Sequence, residues 1–552
     1  MCHERSARHG RKGGENKQDA DNKGDELPEL FINETNLPAT AKELARLIAG
    51  LRDFVFNGTI PARIAIDDDC MPRAVETAPE SVCVHGHEVC RPMRLKREKG
   101  RPKKAEVKMA EPAQKLVPCT LPMSVARLYL YGLHGQWGLK TLHGITTAPI
   151  LEDNGNIRIA EGFDDNTGLY CYKIPAVTVP SNPTKDEATA ALYRLRYFFR
   201  TFPYTDAERL LDPDLGVEIV DLRKAPGMDE STFLVAVMTA VCRQSLVLTP
   251  GYLVRAAAMS GAGTGKGLLV AAICILSSGA APTAFTAGHD KEEFDKRLSS
   301  ALIEQRPCVF LDNYNNAELH SAILASALTQ SPAMVRRMGQ SSMTPLYTRT
   351  FIVVTGNGVT VAEDQVRRWL ITEFDARTEN PENRKFDPGF LDTVRGARTD
   401  LLTDALTIWR WGRQNNIAEG KPLGSYEVWS QWCRDPILAL GGRDPVDRNA
   451  ETKAADPLRQ RMIDIFEAWW AHHGDILIKA NDLHADVLGL IDFKAKSNDI
   501  GELTVNRQWV AGYLRSKIGA RVGGFLLSQV KDTSRTRPVA FYKLQQTKEP
   551  IP

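Results

Sequence analysis

One segment constrains this chain more than any other. The mostly apolar stretch Leu253 to Met259 runs into SGAGTGKG and then into LLVAAICIL. Strand, glycine-rich loop, lysine and helix, in that order, are the parts of a phosphate-binding loop. Small residues let backbone N–H groups approach phosphate oxygens, the helix N-terminus favours negative charge, and the lysine reaches the outer phosphates. The expected nucleotide-binding set is Ser260, Gly261, Ala262, Gly263, Thr264, Gly265, Lys266 and Gly267. Two positions depart from G-x-x-x-x-G-K-[ST]. Ser260 replaces the first glycine, and Gly267 replaces the hydroxyl residue that would hold magnesium.

Two further apolar runs end in polar residues at nearly even spacing. PCVFLDNYNN ends its apolar part at Asp312, a carboxylate placed to orient magnesium, and Asn313 follows where an acidic base is usual. Asn313 positions water without taking its proton, or the base comes from elsewhere, or turnover is slow. RTFIVVTGNG ends in Asn357, whose amide suits sensing a γ-phosphate or holding the water. In VRRWL, Arg367 and Arg368 stand where a ring-forming ATPase supplies a finger to its neighbour's nucleotide. The expected ligands are ATP and Mg²⁺, with Asp312 at the metal and Lys266, Asp312, Asn313, Asn357, Arg367 and Arg368 serving catalysis.

The order SGAGTGKG, VFLDN, VVTGNG, EDQVRRW resembles the ATPase core of phage and integrative-element primase-helicase proteins, whose motors belong with superfamily 3 helicases in the wider AAA+ class. GITTAPILEDNGNIRIAEGFDDNTGLY, LRYFFRTFPY, LTIWRWGRQ and PLGSYEVW extend the resemblance over about residues 117 to 440. It implies an oligomeric ATP-driven motor on DNA, expected as a homo-oligomeric ring and hexameric by analogy, serving replication of a mobile element. Superfamily 3 enzymes carry a pore-facing hairpin between the second and third strands, which assigns Arg336, Arg337 and Gln340 to single-stranded DNA. A non-motor DNA-binding initiator or regulator with little turnover is the alternative, and an AAA+ remodeller of protein is a third.

The 552 residues predict several domains, and a formal net charge of +2 requires any nucleic-acid footprint to be local. The expected organisation is an α/β protein with an AAA+-like core. It comprises a disordered tail (1–27), a small α+β unit (28–90), a basic linker (91–116) and an α+β domain (117–245). The ATPase core with its following helix (246–420), a loop-rich connector (421–456) and a winged-helix-like domain (457–547) complete it. The winged unit is expected to dock duplex DNA through Arg507, Gln508, Arg515 and Lys517 on its third helix and through Lys531, Arg535 and Arg537 on its wing. Asp229 or Ser231 is expected to cap the helix running to Leu246. No apolar run has the length of a membrane helix and the N-terminus carries no apolar signal core, so the chain reads as cytoplasmic. Its 10 cysteines, without a CxxC pair, read as reduced thiols.

Two weaker patterns remain. In CVHGHEVC, a strand would place Cys83, His85 and His87 on one face, where zinc could bind with Cys90 or Cys70. Asp67 and Asp69 form a DxD that reads as an acidic turn.

Overall fold

The computed structural model describes residues 27–97, 114–131, 138–259, 261–286, 291–337, 343–384, 386–454, 456–491, 496–497, 503–504, 506–532 and 539–547. The chain divides into two compact units, residues 1–54 with 76–139 and residues 55–75 with 140–552.

In the first unit, helices Leu37–Ile48, Pro79–Val89 and Met123–Tyr131 accompany a three-stranded sheet. Asn36 caps the first helix by accepting from the Ala39 N–H at 3.3 Å, and Leu44 and Ile48 bury its inner face. Residues Ser81 to Val89, which read as a strand, are helical. Pro79 stands in the first turn with Glu80, and Val82 and Gly86, one turn apart, are buried. A Cβ on Gly86 would lie 2.7 Å from Leu121 Cδ2, so close packing requires glycine there. The segment expected to begin a basic linker instead starts as strand Arg91–Arg97, the middle of the sheet, parallel to Glu29–Phe31 and antiparallel to Gln114–Pro118. Ladder hydrogen bonds are indifferent to side-chain charge where the cations face solvent, as Arg94 and Lys96 do.

The second unit is organised around five parallel strands: β1 (Gly251–Ala256), β2 (Ala284–Thr286), β3 (Cys308–Asp312), β4 (Phe351–Asn357) and β5 (Trp369–Phe374). Their order across the sheet is β2-β3-β4-β1-β5. Successive side chains point to opposite faces, and both faces are covered, which is why the strands read as continuous apolar runs. Tyr252 and Val254 of β1 join one core with helices α1 (Met228–Cys242), α2 (Lys266–Ser278) and α5 (Arg398–Gln414). Leu253 joins the other with α3 (Lys291–Ile303) and α4 (Ala322–Thr329).

Helix α1 is buried along nearly its whole length, and neither Asp229 nor Ser231 caps it. Gly227 holds the cap position, while Asp206, distant in sequence, accepts from the N–H groups of Met228 and Asp229 at 2.5 and 3.1 Å. Asp229 is thereby released to accept from the Glu373 N–H at 2.7 Å and from the Arg448 guanidinium. The tryptophan-rich helix expected from Leu391 to Asn415 breaks at Ala397, which separates Phe390–Gly396 from α5.

Toward the C-terminus, α6 (Pro457–His473), α7 (Ala485–Ile491) and α8 (Arg507–Ser516) precede an antiparallel sheet of Arg521–Val522, Phe525–Asp532 and Val539–Gln546. These elements share a separate core that includes Phe466, Trp469, Leu514 and Leu527. Among the described residues, no helix is long and apolar enough to cross a membrane.

Asp229 is fully buried and Arg448 is its cation. Replacing Arg448 by Met strands that carboxylate and should cost about 3 kcal/mol. Calorimetry should show a lowered Tm, and adding Asp229→Asn should restore much of it. An unchanged Tm in the single variant would remove this pair from the account of stability.

Candidate nucleotide site

Strand β1 ends at Ala256, and the chain turns through the glycine loop into α2 at Lys266. Gly263 and Gly265 adopt φ of +71° and +92°, the left-handed region that side chains disfavour. No side chain caps α2, so its first-turn N–H groups have no side-chain acceptor of the usual kind. A Cβ on Gly261 would fall 2.3 Å from the Ala257 carbonyl oxygen and 2.6 Å from Asn357 Oδ1, which excludes any larger residue. A Cβ on Gly267 would meet nothing within 4 Å, so space does not explain the missing hydroxyl there. Ala262 is exposed and Thr264 is buried with its hydroxyl donating to the Gly261 carbonyl at 3.0 Å; Ser260 lies outside the described residues.

Lys266 binds the loop to a neighbouring strand. Its Nζ donates to the Gly261 carbonyl at 2.6 Å, to Thr264 Oγ1 at 3.0 Å and to Asn357 Oδ1 at 2.7 Å. An ammonium has three protons, and each has an acceptor. Burial lowers the Lys266 pKa to about 8, against the opposing charge of Asp312.

The parallel register delivers the other polar groups to the same edge. Ala256 pairs with Asn357, and the Gly358 N–H donates to the Ala256 carbonyl at 2.9 Å. The Asn357 N–H donates to Asn315 Oδ1 at 2.7 Å, and its carbonyl accepts from the Asn316 N–H at 2.8 Å, which holds this residue on both sides. Asp312, half-buried at the end of β3, accepts from the Thr355 hydroxyl of β4 and from the Asn313 N–H at 2.9 Å. Asn313 is exposed at φ +58°, a conformation asparagine tolerates, and its amide faces Asp312 Oδ2 at 3.5 Å. Lys266 and Asn357 are therefore in contact, with Asp312 and Asn313 on the adjoining strand end.

A wall that sequence reasoning missed flanks this loop. A Cβ on Gly263 would lie 2.6 Å from Glu382 Cα, and one on Gly265 would lie 3.2 Å from the Phe386 ring. Beside Leu268 on the first turn of α2 opens a cavity of about 490 Å³ lined by Tyr197, Phe202, Arg384, Phe386 and Phe390. Arg384 Nη2 donates to the Thr201 carbonyl at 3.0 Å, while its buried Nη1 has no acceptor. The aromatic run of LRYFFRTFPY was the visible signal, but nothing in its spacing pairs it with Phe386.

The remaining candidates lie apart from the loop. Arg367 and Arg368 precede β5, whereas the loop lies at the opposite ends of the parallel strands. Six residues at about 3.3 Å each separate the two edges, so these arginines serve a site on another copy or none. The expected hairpin forms from Ala333–Arg336 and Met343–Leu346. Arg337, expected on DNA, is only 4% exposed, with Nη2 donating to the Asn57 carbonyl at 3.0 Å and Nε to Thr344 Oγ1 at 3.2 Å. Those bonds hold its guanidinium inside the fold rather than on the surface expected for a DNA contact. Arg336 is exposed but shares a cavity wall with Glu292, Glu293 and Asp295; Gln340 lies outside the described residues.

Arg507 and Gln508 open α8, Gln508 being exposed. Arg515 is exposed and donates to the Ala511 carbonyl at 3.2 Å, Lys517 lies over the Tyr513 ring, and Lys531 is exposed on the hairpin strand. Arg535 and Arg537 lie outside the described residues.

The zinc pattern is not assembled. On the helix, His85 points away from the face shared by Cys83 and His87. Cys83 Sγ donates to the Leu121 carbonyl at 3.5 Å, His87 Nε2 accepts from the Leu121 N–H at 3.3 Å, and Cys90 Sγ donates to the Gly86 carbonyl at 3.1 Å. Cys70 belongs to the other unit. Asp67 closes an acidic turn, accepting from the N–H groups of Asp69 and Met71, and pairs with Arg306 at 2.9 Å.

No protein-family model matches this chain, and no curated protein sequence does either. Among solved structures, it is similar to the apo C-terminal region of NrS-1, with 11% identity and a TM-score of 0.29 over 62% of this chain and 84% of that one. It is also similar to JCV helicase bound to a small-molecule acetamide, with 10% identity and a TM-score of 0.19 over 51% of this chain and 71% of that one. Likenesses this distant carry no part of the functional reading.

The Lys266 environment predicts a pH dependence. Its ammonium loses its proton near pH 8 in this setting, and polyphosphate charge moves the pKa back up. Above about pH 8, binding then takes up a proton, and affinity falls by as much as tenfold per pH unit. Calorimetric titration with a non-hydrolysable ATP analogue at about pH 9, in two buffers of different ionisation enthalpy, should detect that proton. Identical heats in both buffers would contradict it.

Proposed function

We propose that this chain is an ATP-dependent DNA helicase or translocase that acts in replication of a phage or other mobile element. The observation that carries the reading is the contact of Lys266 with Asn357 behind a phosphate loop, with Asp312 on the adjoining strand end. In this reading, the loop N–H groups and Lys266 take the phosphates, and the ATP base enters the aromatic cavity beside Leu268, between Phe386 and the Tyr197–Phe202 wall. Oxygen donors suit magnesium, and the Asp312 carboxylate fits it although Gly267 contributes none. Bound there, Mg²⁺ would neutralise phosphate charge. Asn357 senses the γ-phosphate, and Asn313 orients water without accepting its proton, which predicts slow turnover in a lone subunit. Arg367 and Arg368 complete a neighbouring copy's site, so the active form is a homo-oligomeric ring.

DNA contact divides in two. Arg336 grips the moving strand, and the three-helix and hairpin unit at the C-terminus acts as a winged helix on duplex, through α8 and the strands around Lys531.

An initiator that binds nucleotide and barely turns it over is the second reading, favoured by Asn313 and Gly267. ATPase measured with and without single-stranded DNA separates the two: stimulation supports the motor, and DNA binding without stimulation supports the initiator. Lys266→Ala should abolish ATP-dependent thermal stabilisation. Phe386→Ala should raise the Kd for ATP five- to tenfold, about 1 kcal/mol of lost aromatic contact. An unchanged Kd in both variants would refute the site. Neutralising Arg515, Lys517 and Lys531 together should weaken duplex binding and flatten its salt dependence, while ATPase without DNA stays at the wild-type rate.

A further inference from the structure

Helix α8 presents a glycine to solvent where its own fold requires none. Its inner face is buried through Val510 and Leu514, and Asn506 caps it by accepting from the Trp509 N–H at 3.1 Å. On the outer face stands Gly512, exposed, and a Cβ there would meet nothing within 4 Å among the described residues. Glycine inside a helix is less stable than alanine because it loses more conformational freedom on folding. At Gly86 and Gly412, also within helices, the chain itself supplies the reason: a Cβ would lie 2.7 Å from Leu121 Cδ2 and 2.4 Å from Pro436 Cγ. At Gly512 the reason lies outside the chain.

The residues around Gly512 indicate what approaches it. Gln508 and Trp509 precede it by four and three residues, and Arg515 and Ser516 follow by three and four, so the four side chains surround it on one face. All four are exposed, and the Trp509 ring keeps 49% of its surface open. From Asn506 to Lys531 the chain carries Arg507, Arg515, Lys517, Arg521 and Lys531 and no acidic residue. That charge complements a polyanion. Phosphate contacts alone would not call for glycine, because long cationic side chains reach phosphate while the backbone stays at a distance. Nor does the Gly512 backbone offer an anion a donor, since a mid-helix N–H bonds the carbonyl four residues back. A missing Cβ matters when the partner's surface comes to the helix backbone itself, as it does when a helix sinks into the major groove.

We infer that the C-terminal unit reads base sequence in duplex DNA, with α8 in the major groove and Gly512 at the point of closest approach. The inference rests on the reading of this unit as one that docks duplex. The Gln508 amide carries the donor and acceptor that match the N7 and N6 edge of adenine, and the Trp509 ring offers an apolar surface to a thymine methyl. Arg515 and Lys517 hold the flanking phosphates.

The test selects with the full chain from a pool of duplexes whose central segment is randomised. Enrichment of a common sequence is expected. Gly512→Leu should lower affinity for the selected duplex about tenfold or more, toward that for an unselected duplex, and Gly512→Ala should cause a smaller loss. Binding to the unselected duplex, with its salt dependence, should stay near the wild-type value. Both substitutions favour the helix, so Tm should hold or rise; affinity lost while stability is kept separates a DNA contact from a structural role. Gln508→Ala should relax the preference at one base pair. An absence of enrichment, or wild-type affinity of Gly512→Leu for the selected duplex, would overturn the inference. So would an altered oligomeric state of Gly512→Leu without DNA, which assigns the glycine to a contact between copies. If neutralising Arg515, Lys517 and Lys531 leaves duplex binding unchanged, the docking reading fails and this inference with it. If those cations matter and Gly512→Leu is silent, this inference alone fails.

Discussion

Strand β1 is hydrogen-bonded on both sides by parallel strands, and much of the second unit follows from that. Parallel pairing sends the carboxyl ends of β1, β3, β4 and β5 to one edge, and each return crosses a face of the sheet through intervening chain. With both faces covered, polar side chains along the strands would be buried, whereas at the strand ends they reach solvent. Lys266, Asp312 and Asn357 come together because each follows or ends a parallel strand at this same edge of the sheet. The same geometry sends Arg367 and Arg368 to the opposite edge.

The site's departures from a standard phosphate loop are coordinated with its neighbours. An amide at position 313 faces the Asp312 carboxylate without adding a second negative charge beside it, and Thr355 supplies a hydroxyl to the same carboxylate from β4. The hydroxyl missing at Gly267 is thus not absent from the region; one is present on the Asp312 side. Glu382 and Phe386, packed against Gly263 and Gly265, link the loop to the segment that leaves β5.

What the sequence disclosed tracks the range of the interactions involved. The phosphate loop and the polar ends of β3 and β4 rest on neighbouring residues, and both can be read along the chain. Features set by distant partners could not. Asp206 caps α1 from 22 residues away, and Arg337 is drawn inside by Asn57. In CVHGHEVC the alternation is too short to separate strand from helix, and the decision falls to Pro79 and to the space Leu121 leaves for Gly86. The aromatic wall joins segments that flank all five strands in the sequence.

The tethering of Lys266 sets a threshold for what the loop will hold. An arriving anion does not find bare positive charge; it must exchange three hydrogen bonds already made to the Gly261 carbonyl, Thr264 and Asn357. Chloride offers a single acceptor atom, whereas a phosphate group presents several oxygens at once and can also meet the helix N-terminus. In the proposed reading, the tether would thus favour phosphate groups over halide, which could not replace three directed bonds with one.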